Sequence, residues 1–290
     1  MTEGFLNVLK PPGMSSYDVI SVARRILGIK KIGHAGTLDP GAAGVLPVAV
    51  GRAARLVEYL SDADKSYRAE LTLGVATDTG DDTGNVIAKA ESFAMPSASN
   101  LAAVLQQYTG EIIQVPPVYS AIKVNGQRAC DLARKHISVA IPERRVHIYR
   151  LELLAQRAHT LLLDVDCSKG TYIRTLCADL GHAMGIPATM SFLVRTRVGD
   201  FSLAEACTLE ELSARGPAAL LPAEDFLSHL TAYTMADHRI QPFLNGLSTQ
   251  DMAFIGSEAQ LLRVYGKGRF LGIGRFVVAS RSIVPEKVFY

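Results

Sequence analysis

The sequence predicts an α+β protein, with a sheet and flanking helices over residues 1–231 and a small β-rich module over residues 232–290. Apolar side chains recur at every second position in residues 67–73 and in residues 190–198, which indicates strands. Short runs joined by glycines at residues 261–277 indicate the strands of the module. A chain of 290 residues exceeds the usual size of one domain, so a large domain and a smaller one are expected.

Composition and charge describe an ordinary globular protein. Hydrophobic residues make up 48% of the chain, and a net charge of +2 creates no general attraction for nucleic acid. The 4 cysteines form no Cys-x-x-Cys pair, so neither a zinc site nor a disulfide framework is expected, and free thiols fit the cytoplasm. The first residues lack the pattern of a signal peptide, and apolar runs are too short to span a membrane. We therefore expect a cytoplasmic protein without membrane contacts.

The first predicted elements are a strand and a helix. Residues 5–10 alternate in polarity and end at a Pro-Pro-Gly turn. Ser15 then begins an amphipathic helix with Asp18 as its capping-box partner, and Gly28 ends it. Residues 45–50 are expected to form a buried strand or the start of a helix.

The loop at residues 33–47 combines many conformational constraints with two reactive side chains. It contains four glycines and two prolines around His34 and Asp39. Such a loop can hold Asp39 rigidly at the mouth of a pocket, because glycine allows positive φ and proline fixes φ. An ionised aspartate can act as a covalent nucleophile toward sugars or electrophilic rings. Local chemistry alone favours a glycine-rich connector with an exposed aspartate, and it leaves the nucleophile open.

Two segments after this loop also have two interpretations. Tyr67 lies on the inner face of its strand, where a tyrosine packs in the core or, less often, stacks on a base. Residues 78–85 are rich in aspartate but lack the spacing and closing glutamate of an EF-hand, which favours a solvated turn over calcium. Helices are expected at residues 101–108 and at residues 204–221.

Residues 115–150 form a basic excursion with a hairpin signal at Asn125-Gly126. Its basic residues are Lys123, Arg128, Arg134, Lys135, Arg144, Arg145 and Arg150, and its aromatic residues include Tyr119, His147 and Tyr149. Basic and aromatic side chains together suit RNA, since phosphates need cations and bases stack. A solubilising surface hairpin fits the same pattern.

Arginines on two later elements differ in their expected surroundings. A helix that begins near residue 171 carries Tyr172 and Arg174 in its first turn. An arginine there opposes the helix dipole, which predicts either a specific anionic partner or a surface salt bridge. The strand at residues 190–198 is expected to bury Leu193 and to direct Arg195 and Arg197 outward.

Taken in order, these stretches resemble the TruB-type tRNA pseudouridine synthases, which isomerise uridine 55 in the T loop. The resemblance covers essentially the whole chain. It rests on residues 8–16, on the Gly-His-x-Gly-x-Leu-Asp-Pro signature within residues 33–55, on Tyr67, on Pro-Pro-x-Tyr-Ser-Ala at residues 116–121 and on Tyr-Ile-Arg-Thr-Leu at residues 172–176. Ala35 stands where threonine is common and Cys130 where tyrosine is common, and both positions lie beside the chemistry.

The resemblance implies a fold and a partner. The fold is the pseudouridine synthase fold, a mixed, largely antiparallel sheet with flanking helices, followed by a PUA-like RNA-binding module. The insertion at about residues 115–150 is expected to be mobile without RNA and to clamp the T stem-loop of tRNA. The resemblance implies a monomer without an obligate protein partner, and neither a metal nor an organic cofactor.

The resemblance also assigns roles to individual residues. Asp39 becomes the nucleophile, Arg174 its ion-pair partner and Tyr67 the ring that stacks on the target base. The substrate-binding residues are His34, Tyr67, Tyr172 and Leu193. The candidates for RNA contact are Lys10, Lys123, Arg128, Arg134, Arg144 and Arg145.

The implied reaction breaks the C1′–N1 bond of uridine and makes a C1′–C5 bond, without a redox step or net hydrolysis. Asp39 can attack C6 of the base or C1′ of the ribose, and the sequence leaves both routes open. The proton on C5 can pass to Tyr67 or to water. A base inside a folded loop must first be extruded.

Two other classes of function fit parts of the sequence. A noncatalytic tRNA-binding or folding factor would use the same basic excursion and β-rich module. A glycosidase or nucleosidase would also use Asp39, but it needs a second carboxylate as general acid. No second carboxylate lies near residues 34–46 in the sequence, which counts against this class.

Overall fold

The computed structural model of the chain describes residues 3–60, 62–120, 122–124, 126–135, 137 and 140–289. The described strands are β1 (Gly4–Lys10), β2 (Ile32–His34), β3 (Ala43–Val50), β4 (Lys65–Leu73), β5 (Val75–Thr77), β6 (Val86–Lys89), β7 (Gly110–Gln114), β8 (Lys123–Val124), β9 (Gln127–Arg128), β10 (Arg144–Gln156), β11 (Thr160–Cys167), β12 (Ala188–Val198), β13 (Phe201–Ser202), β14 (Thr231–Thr234), β15 (Thr249–Gln250), β16 (Leu261–Gly266), β17 (Arg269–Val277) and β18 (Ser282–Val288). The described α-helices are α1 (Ser16–Leu27), α2 (Val57–Leu60), α3 (Ala98–Gln107), α4 (Ala129–Arg134), α5 (Ile173–Ala183), α6 (Leu209–Arg215) and α7 (Asp237–Leu244). Across the described ranges, every helix is too short or too polar to cross a bilayer.

The main sheet has nine strands in the order β1-β3-β12-β4-β11-β10-β7, with β2 paired to β3 and β13 paired to β12. Strands β3 and β12 run parallel, whereas the other pairs in this sheet are antiparallel. The expectation of a mixed, largely antiparallel sheet is therefore confirmed. The parallel pair sets Arg195 opposite Gly44, just after the loop that carries Asp39.

Helices α3 and α5 pack on the main sheet and bury its largest apolar cluster. Leu105 of α3 and Leu176 and Leu180 of α5 share this cluster with Leu163 of β11. Leu38, in the loop between β2 and β3, belongs to the same cluster. Burial of a leucine stabilises the fold by about 2 kcal/mol, so the loop is anchored in the core.

The first helix forms as the sequence predicts. Ser15 and Asp18 make both hydrogen bonds of the capping box, and Gly28 ends α1 at a φ of 67°. This positive φ favours glycine because the residue has no Cβ. Helix α1 then packs with α6 against β1 and β3.

The C-terminal residues form a second sheet, with the strand order β14-β16-β17-β18-β15. Phe243, Val264 and Phe276 lie in its own apolar cluster, so the expected β-rich module is confirmed. The module also contacts the larger part of the chain, since Phe289 packs in a cluster with Phe5. The division of the chain near residue 231 stays a prediction.

The predicted helix at residues 204–221 is interrupted. A 3₁₀ turn at Leu203–Glu205 precedes α6, and a second 3₁₀ turn at Gly216–Ala219 follows it. Thr208 begins α6 through a capping box with Glu211. The segment does contain helical turns, as predicted. The cap at Thr208 and the Gly-Pro pair at residues 216–217 divide it into short pieces.

The expected outward direction of Arg195 was wrong. Two register shifts interrupt the pairing of β12 with β4, one between Met190 and Phe192 and one between Arg195 and Arg197. A bulge inserts an extra residue and so disrupts strict alternation between the two faces of a strand. Arg195 is consequently buried, with 2% of its surface exposed.

Candidate active site

The loop that carries Asp39 is fixed on both sides of this residue. Ser16, at the start of α1, donates from Oγ to the Leu38 carbonyl (3.0 Å) and accepts from the Leu38 amide (2.9 Å). The carbonyl of Pro40 accepts a hydrogen bond from the Gly13 amide (2.8 Å). The turn before α1 and the start of this helix therefore hold the main chain around Asp39.

Lys10 is buried beneath the same loop and hydrogen-bonds to it. This position corrects the expectation that Lys10 contacts RNA. Its side chain is fully buried, and its ammonium donates to the carbonyls of Pro11 (2.8 Å), Met14 (2.6 Å) and Pro40 (3.1 Å). Burial lowers the pKa of Lys10 to about 8, although the nearby charge of Asp39 acts in the opposite direction. A lysine whose donors are used inside the protein does not offer them to a phosphate.

Asp39 and Arg174, the two residues expected to pair, lie in contact. The Nε of Arg174 is 3.0 Å from Oδ2 of Asp39. The arginine side chain is 5% exposed, whereas the aspartate side chain is 41% exposed. Arg174 also donates from Nη1 to the Thr79 carbonyl (3.0 Å) and from Nη2 to the Tyr119 carbonyl (2.9 Å). A buried, fully engaged guanidinium thus fixes one oxygen of an accessible carboxylate.

Asp81 is a residue of this site that the sequence did not reveal. Its Oδ2 lies 3.7 Å from Nη1 of Arg174, and its Oδ1 accepts hydrogen bonds from the hydroxyls of Thr79 (2.7 Å) and Thr83 (2.6 Å). The turn at residues 78–85 is therefore docked at the site, since the Met190 amide also donates to the Gly80 carbonyl (3.1 Å). No local pattern marks Asp81, because its partner belongs to a distant helix.

Asp81 also bears on the glycosidase alternative. A second carboxylate does lie near Asp39 in space, although none lies near it in sequence. A general acid must present a proton on an oxygen that faces the substrate. The Oδ1 of Asp81 already accepts from Thr79 and Thr83, and its Oδ2 faces Arg174. Asp81 is arranged to orient the arginine rather than to donate a proton.

A pocket of about 640 Å³ opens at this ion pair. Asp39, His34, Asp81, Arg174 and Leu193 are among the residues that line it. Its volume lies in the range of small-molecule sites, so it is large enough to enclose a nucleoside. Four of the predicted site residues are therefore brought to one cavity from different parts of the chain: His34, Asp39, Arg174 and Leu193.

Tyr67 and Tyr172, two of the predicted site residues, are not among the residues that line this pocket. Tyr67, on β4, packs against the main apolar cluster, and burial raises the pKa of its phenol to about 12. Tyr172 precedes α5, where its amide and carbonyl bind the side chain of Gln114 (3.1 and 3.3 Å). The guanidinium of Arg144 lies over the Tyr172 ring, 5.7 Å from its centre.

His34, at the end of β2, is partly buried at the edge of the pocket. Burial lowers the pKa of its imidazole, and the positive charge of Arg195 adds to this effect. Its Nδ1 is buried and has no hydrogen-bond partner among the described residues. The neutral imidazole is therefore the form that this position favours.

The structure describes the side chains of only some of the predicted RNA-binding residues. Arg145 is exposed on β10 and forms an ion pair with Glu111 (2.8 Å), while Arg144 contacts Tyr172. The side chains of Lys123, Arg128 and Arg134 lie outside the described part of the structure. Among the residues that are described, no cluster of three or more histidines, cysteines or carboxylates is placed to hold a metal.

Comparison with known proteins identifies the family. Residues 24–173 match the model of the TruB family pseudouridylate synthase (N terminal domain). The chain belongs to the TruB family. Residues 174–229 of this TruB-family chain match the model of the tRNA pseudouridylate synthase B C-terminal domain. The expectation of an isomerase of this type is thereby confirmed.

Two relatives show how far the similarity to the TruB family extends. The chain is 51% identical to a tRNA pseudouridine synthase B from Symbiobacterium thermophilum over 85% of this chain and 83% of that protein. It is 45% identical to the tRNA pseudouridine synthase B of Caldanaerobacter subterraneus over 99% of both chains.

Solved structures support the same fold for this TruB-family chain. The chain is similar to one in a Cbf5–Nop10–Gar1 complex, with a TM-score of 0.78, 27% identity and coverage of 100% of this chain and 85% of that one. It is also similar to a chain in an H/ACA RNP bound to a substrate RNA containing 2′-deoxyuridine, with a TM-score of 0.75, 25% identity and coverage of 99% and 85%. The expected pseudouridine synthase fold is confirmed.

Proposed function

We propose that this TruB-family chain converts uridine 55 in the T loop of tRNA to pseudouridine, with Asp39 as the nucleophile. The observation that carries the proposal is the contact between Asp39 and buried Arg174 at the mouth of a nucleoside-sized pocket. The relatives' name, tRNA pseudouridine synthase B, supports tRNA as the substrate. We assign uridine 55 as the target because the signature loop resembles that of the family that modifies this position.

The geometry suits a carboxylate that attacks rather than one that only binds. Oδ2 of Asp39 faces Arg174, and its Oδ1 accepts no hydrogen bond from any described residue. One oxygen is thus oriented by the guanidinium while the other is available to the substrate. Holding a reactive group in an attack-ready geometry lowers the entropic part of the barrier.

The reaction needs little beyond this carboxylate. The C1′–N1 bond breaks, the freed base turns, C5 bonds to C1′, the C5 proton leaves and N1 gains a proton. Attack of Oδ1 at C6 or at C1′ is compatible with the pocket, so both routes remain open. Apolar side chains of the lining, such as Leu193, would shield the bound base from water, which could otherwise release free uracil.

The surroundings of Tyr67 bear on the removal of the C5 proton. A phenol with its ordinary pKa is already protonated at neutral pH, and burial raises the pKa of Tyr67 further, to about 12. A protonated phenol is a poor proton acceptor, which favours water over Tyr67 for this step. Tyr67 keeps its predicted role as a ring that packs against the extruded base, for which it has to be exposed to the pocket when tRNA binds.

The proposal is tested with pure protein and an unmodified tRNA transcript that carries tritium at uracil C5. We expect tritium release, and we expect chemical mapping to place pseudouridine at position 55 alone. Asp39→Asn should bind the same tRNA with unchanged affinity but lose at least about 10⁴-fold in rate, the scale of losing a catalytic nucleophile. Product at a different position would refute the assignment of uridine 55.

Two further results would favour the other classes of function. Tight binding without any tritium release by the unchanged protein would indicate a tRNA-binding or folding factor. Free uracil among the products would indicate a nucleosidase. Activity of the pure protein would test our prediction that the chain needs no other protein, and its mass in solution would test the prediction of a monomer. We also propose a cytoplasmic location, because the described cysteines are free.

A further inference from the structure

Arg195 is a buried cation that donates hydrogen bonds to three main-chain carbonyls and also hydrogen-bonds the phenol of Tyr67. Its Nη2 donates to the Gly36 carbonyl (3.1 Å) and its Nη1 to the Thr37 carbonyl (3.3 Å), both in the loop that carries Asp39. Its Nε donates to the Val45 carbonyl of β3 (2.8 Å), on the other side of this loop. One guanidinium therefore ties together the two ends of the segment that presents Asp39.

The main chain of Arg195 holds the same segment. Arg195 lies opposite Gly44 in the parallel pairing of β12 with β3. Gly44 has a φ of 117°, and a Cβ at this position would lie 2.2 Å from the Arg195 carbonyl oxygen. Only glycine permits this close approach. The backbone and the side chain of Arg195 thus bracket the segment at residues 36–45.

Arg195 is also the cross-strand neighbour of Tyr67. The two residues lie opposite each other in the pairing of β12 with β4. The guanidinium interacts with the phenol and acts against the rise that burial causes in its pKa. The same residue therefore contacts the Asp39 loop on one side and the Tyr67 strand on the other.

A buried charge is costly unless hydrogen bonds compensate it, and an apolar side chain would fill the same space without this cost. Arg195 has cationic neighbours as well, since its charge lowers the pKa of His34, Lys10 and Lys65. What an apolar residue or a lysine cannot supply is a planar fork with donors for three carbonyls at once. An arginine at this position is therefore explained by the fixed geometry of its guanidinium, which holds three carbonyls at once.

We infer that Arg195 is a positioning residue, which sets the separation of the Asp39 carboxylate and the Tyr67 ring by fixing the loop at residues 36–45 to strand β12. The inference rests on the proposed function, since it assumes that Asp39 reacts and Tyr67 packs against the base. Arg195 does not itself line the pocket, so it acts through the loop and not by contact with the substrate.

The test compares Arg195→Lys and Arg195→Met with Arg197→Lys as the matched control. Arg197 lies two residues further along β12, and its side chain donates to Ser66 and to the Gly199 carbonyl, neither of which belongs to the Asp39 loop. We expect the single-turnover rate of pseudouridine formation to fall about 100-fold in both Arg195 variants, the scale of a displacement of about 1 Å. Affinity for tRNA should stay unchanged, and Arg197→Lys should react as fast as the unchanged protein.

A second measurement separates position from charge. Arg195→Met removes a positive charge near His34, so the pKa of the His34 imidazole, followed by NMR, should rise in this variant. Arg195→Lys keeps the charge and should leave this pKa near its original value, yet it should still lose the rate. A lysine variant with full activity would overturn the inference, because charge without the fork would then suffice.

Two other outcomes would also overturn it. One is an equal loss of rate in Arg197→Lys, and the other is a loss of tRNA affinity that accounts for the loss of rate, since both would mean a general effect on the fold. If Arg195→Met does not fold, Arg195→Lys alone decides between these outcomes. A failure of the proposed function looks different, because the unchanged protein would then form no pseudouridine.

Discussion

The carboxylate of Asp81 lies 3.7 Å from Nη1 of Arg174, the arginine whose Nε binds Asp39. Two acidic side chains therefore share one buried cation. Asp81 is held by Thr79 and Thr83, so it is itself rigid. This order of contacts suggests that Asp81 orients Arg174 and that Arg174 in turn orients Asp39.

Replacing Asp81 tests this order. Asp81→Asn keeps the shape of the side chain but removes its charge, so Arg174 should be held less firmly. We expect the single-turnover rate of pseudouridine formation to fall by about 10- to 100-fold, with unchanged affinity for tRNA. Asp200→Asn, at an exposed position that does not line the pocket, is the matched control and should retain the full rate. Equal rates for both variants and the unchanged protein would remove Asp81 from the mechanism.

Arg174→Lys should be more damaging. A lysine ammonium is a single point charge and cannot bind Asp39 while also satisfying the carbonyls of Thr79 and Tyr119. We expect a loss of rate of at least about 100-fold. The free energy of unfolding should fall by about 1–3 kcal/mol, because buried acceptors are left without donors.

The control for this variant is Arg68→Lys. Arg68 forms a two-point ion pair with Asp164 at 2.8 and 2.9 Å, but the pair lies at the surface. Breaking its geometry should change the free energy of unfolding by less than about 1 kcal/mol and leave the rate unchanged. If chemical denaturation and single-turnover assays gave the same losses for both variants, burial would not explain the importance of Arg174.

Lys10 predicts a pH dependence of stability. In the folded protein burial lowers the pKa of Lys10 from 10.5 to about 8. Between these two values the unfolded chain binds a proton that the folded protein does not, so the free energy of unfolding should rise with pH through this window. Lys10→Met should be less stable throughout, because three carbonyls lose a donor, and should lack this rise.

The measurement is urea denaturation of the two proteins from pH 7 to pH 10.5. Their difference in unfolding free energy should widen as pH increases above 8, since only the unchanged protein gains stability from Lys10. Lys30→Met, at an exposed lysine, should run parallel to the unchanged protein. Parallel curves for Lys10→Met as well would mean that Lys10 does not titrate in this window.

Local patterns were sufficient for elements whose signals are local. The cap at Ser15, the end of α1 at Gly28 and the alternating strand β4 formed as predicted, because each depends on residues within one element. The pairing of Asp39 with Arg174 came from the family resemblance and a general argument about helix dipoles. Neither could identify which strands would bring the two residues together.

Other features of the site depend on tertiary pairing and could not be predicted. Lys10 is an ordinary basic residue in the sequence, and its burial follows from the way the loop after β2 folds back over the end of β1. Arg195 was expected to point outward because its strand alternates, but bulges in β12 change the face it occupies. Bulges leave no clear trace in a hydrophobic pattern.

The last prediction concerns the basic excursion at residues 115–150. If it is mobile without RNA and closes on the T stem-loop, trypsin should cleave after Arg128 or Lys135 in the free protein, and tRNA should protect these sites. Mass spectrometry of the fragments would locate the cuts, and an RNA hairpin of equal length but unrelated sequence is the control. Protection should require the T-loop sequence. It should also weaken with added salt, because the cations of the salt compete with lysine and arginine side chains for the phosphates. Equal cleavage with and without tRNA would mean that the excursion does not clamp its substrate, and equal protection by both RNAs would mean that the contact is purely electrostatic.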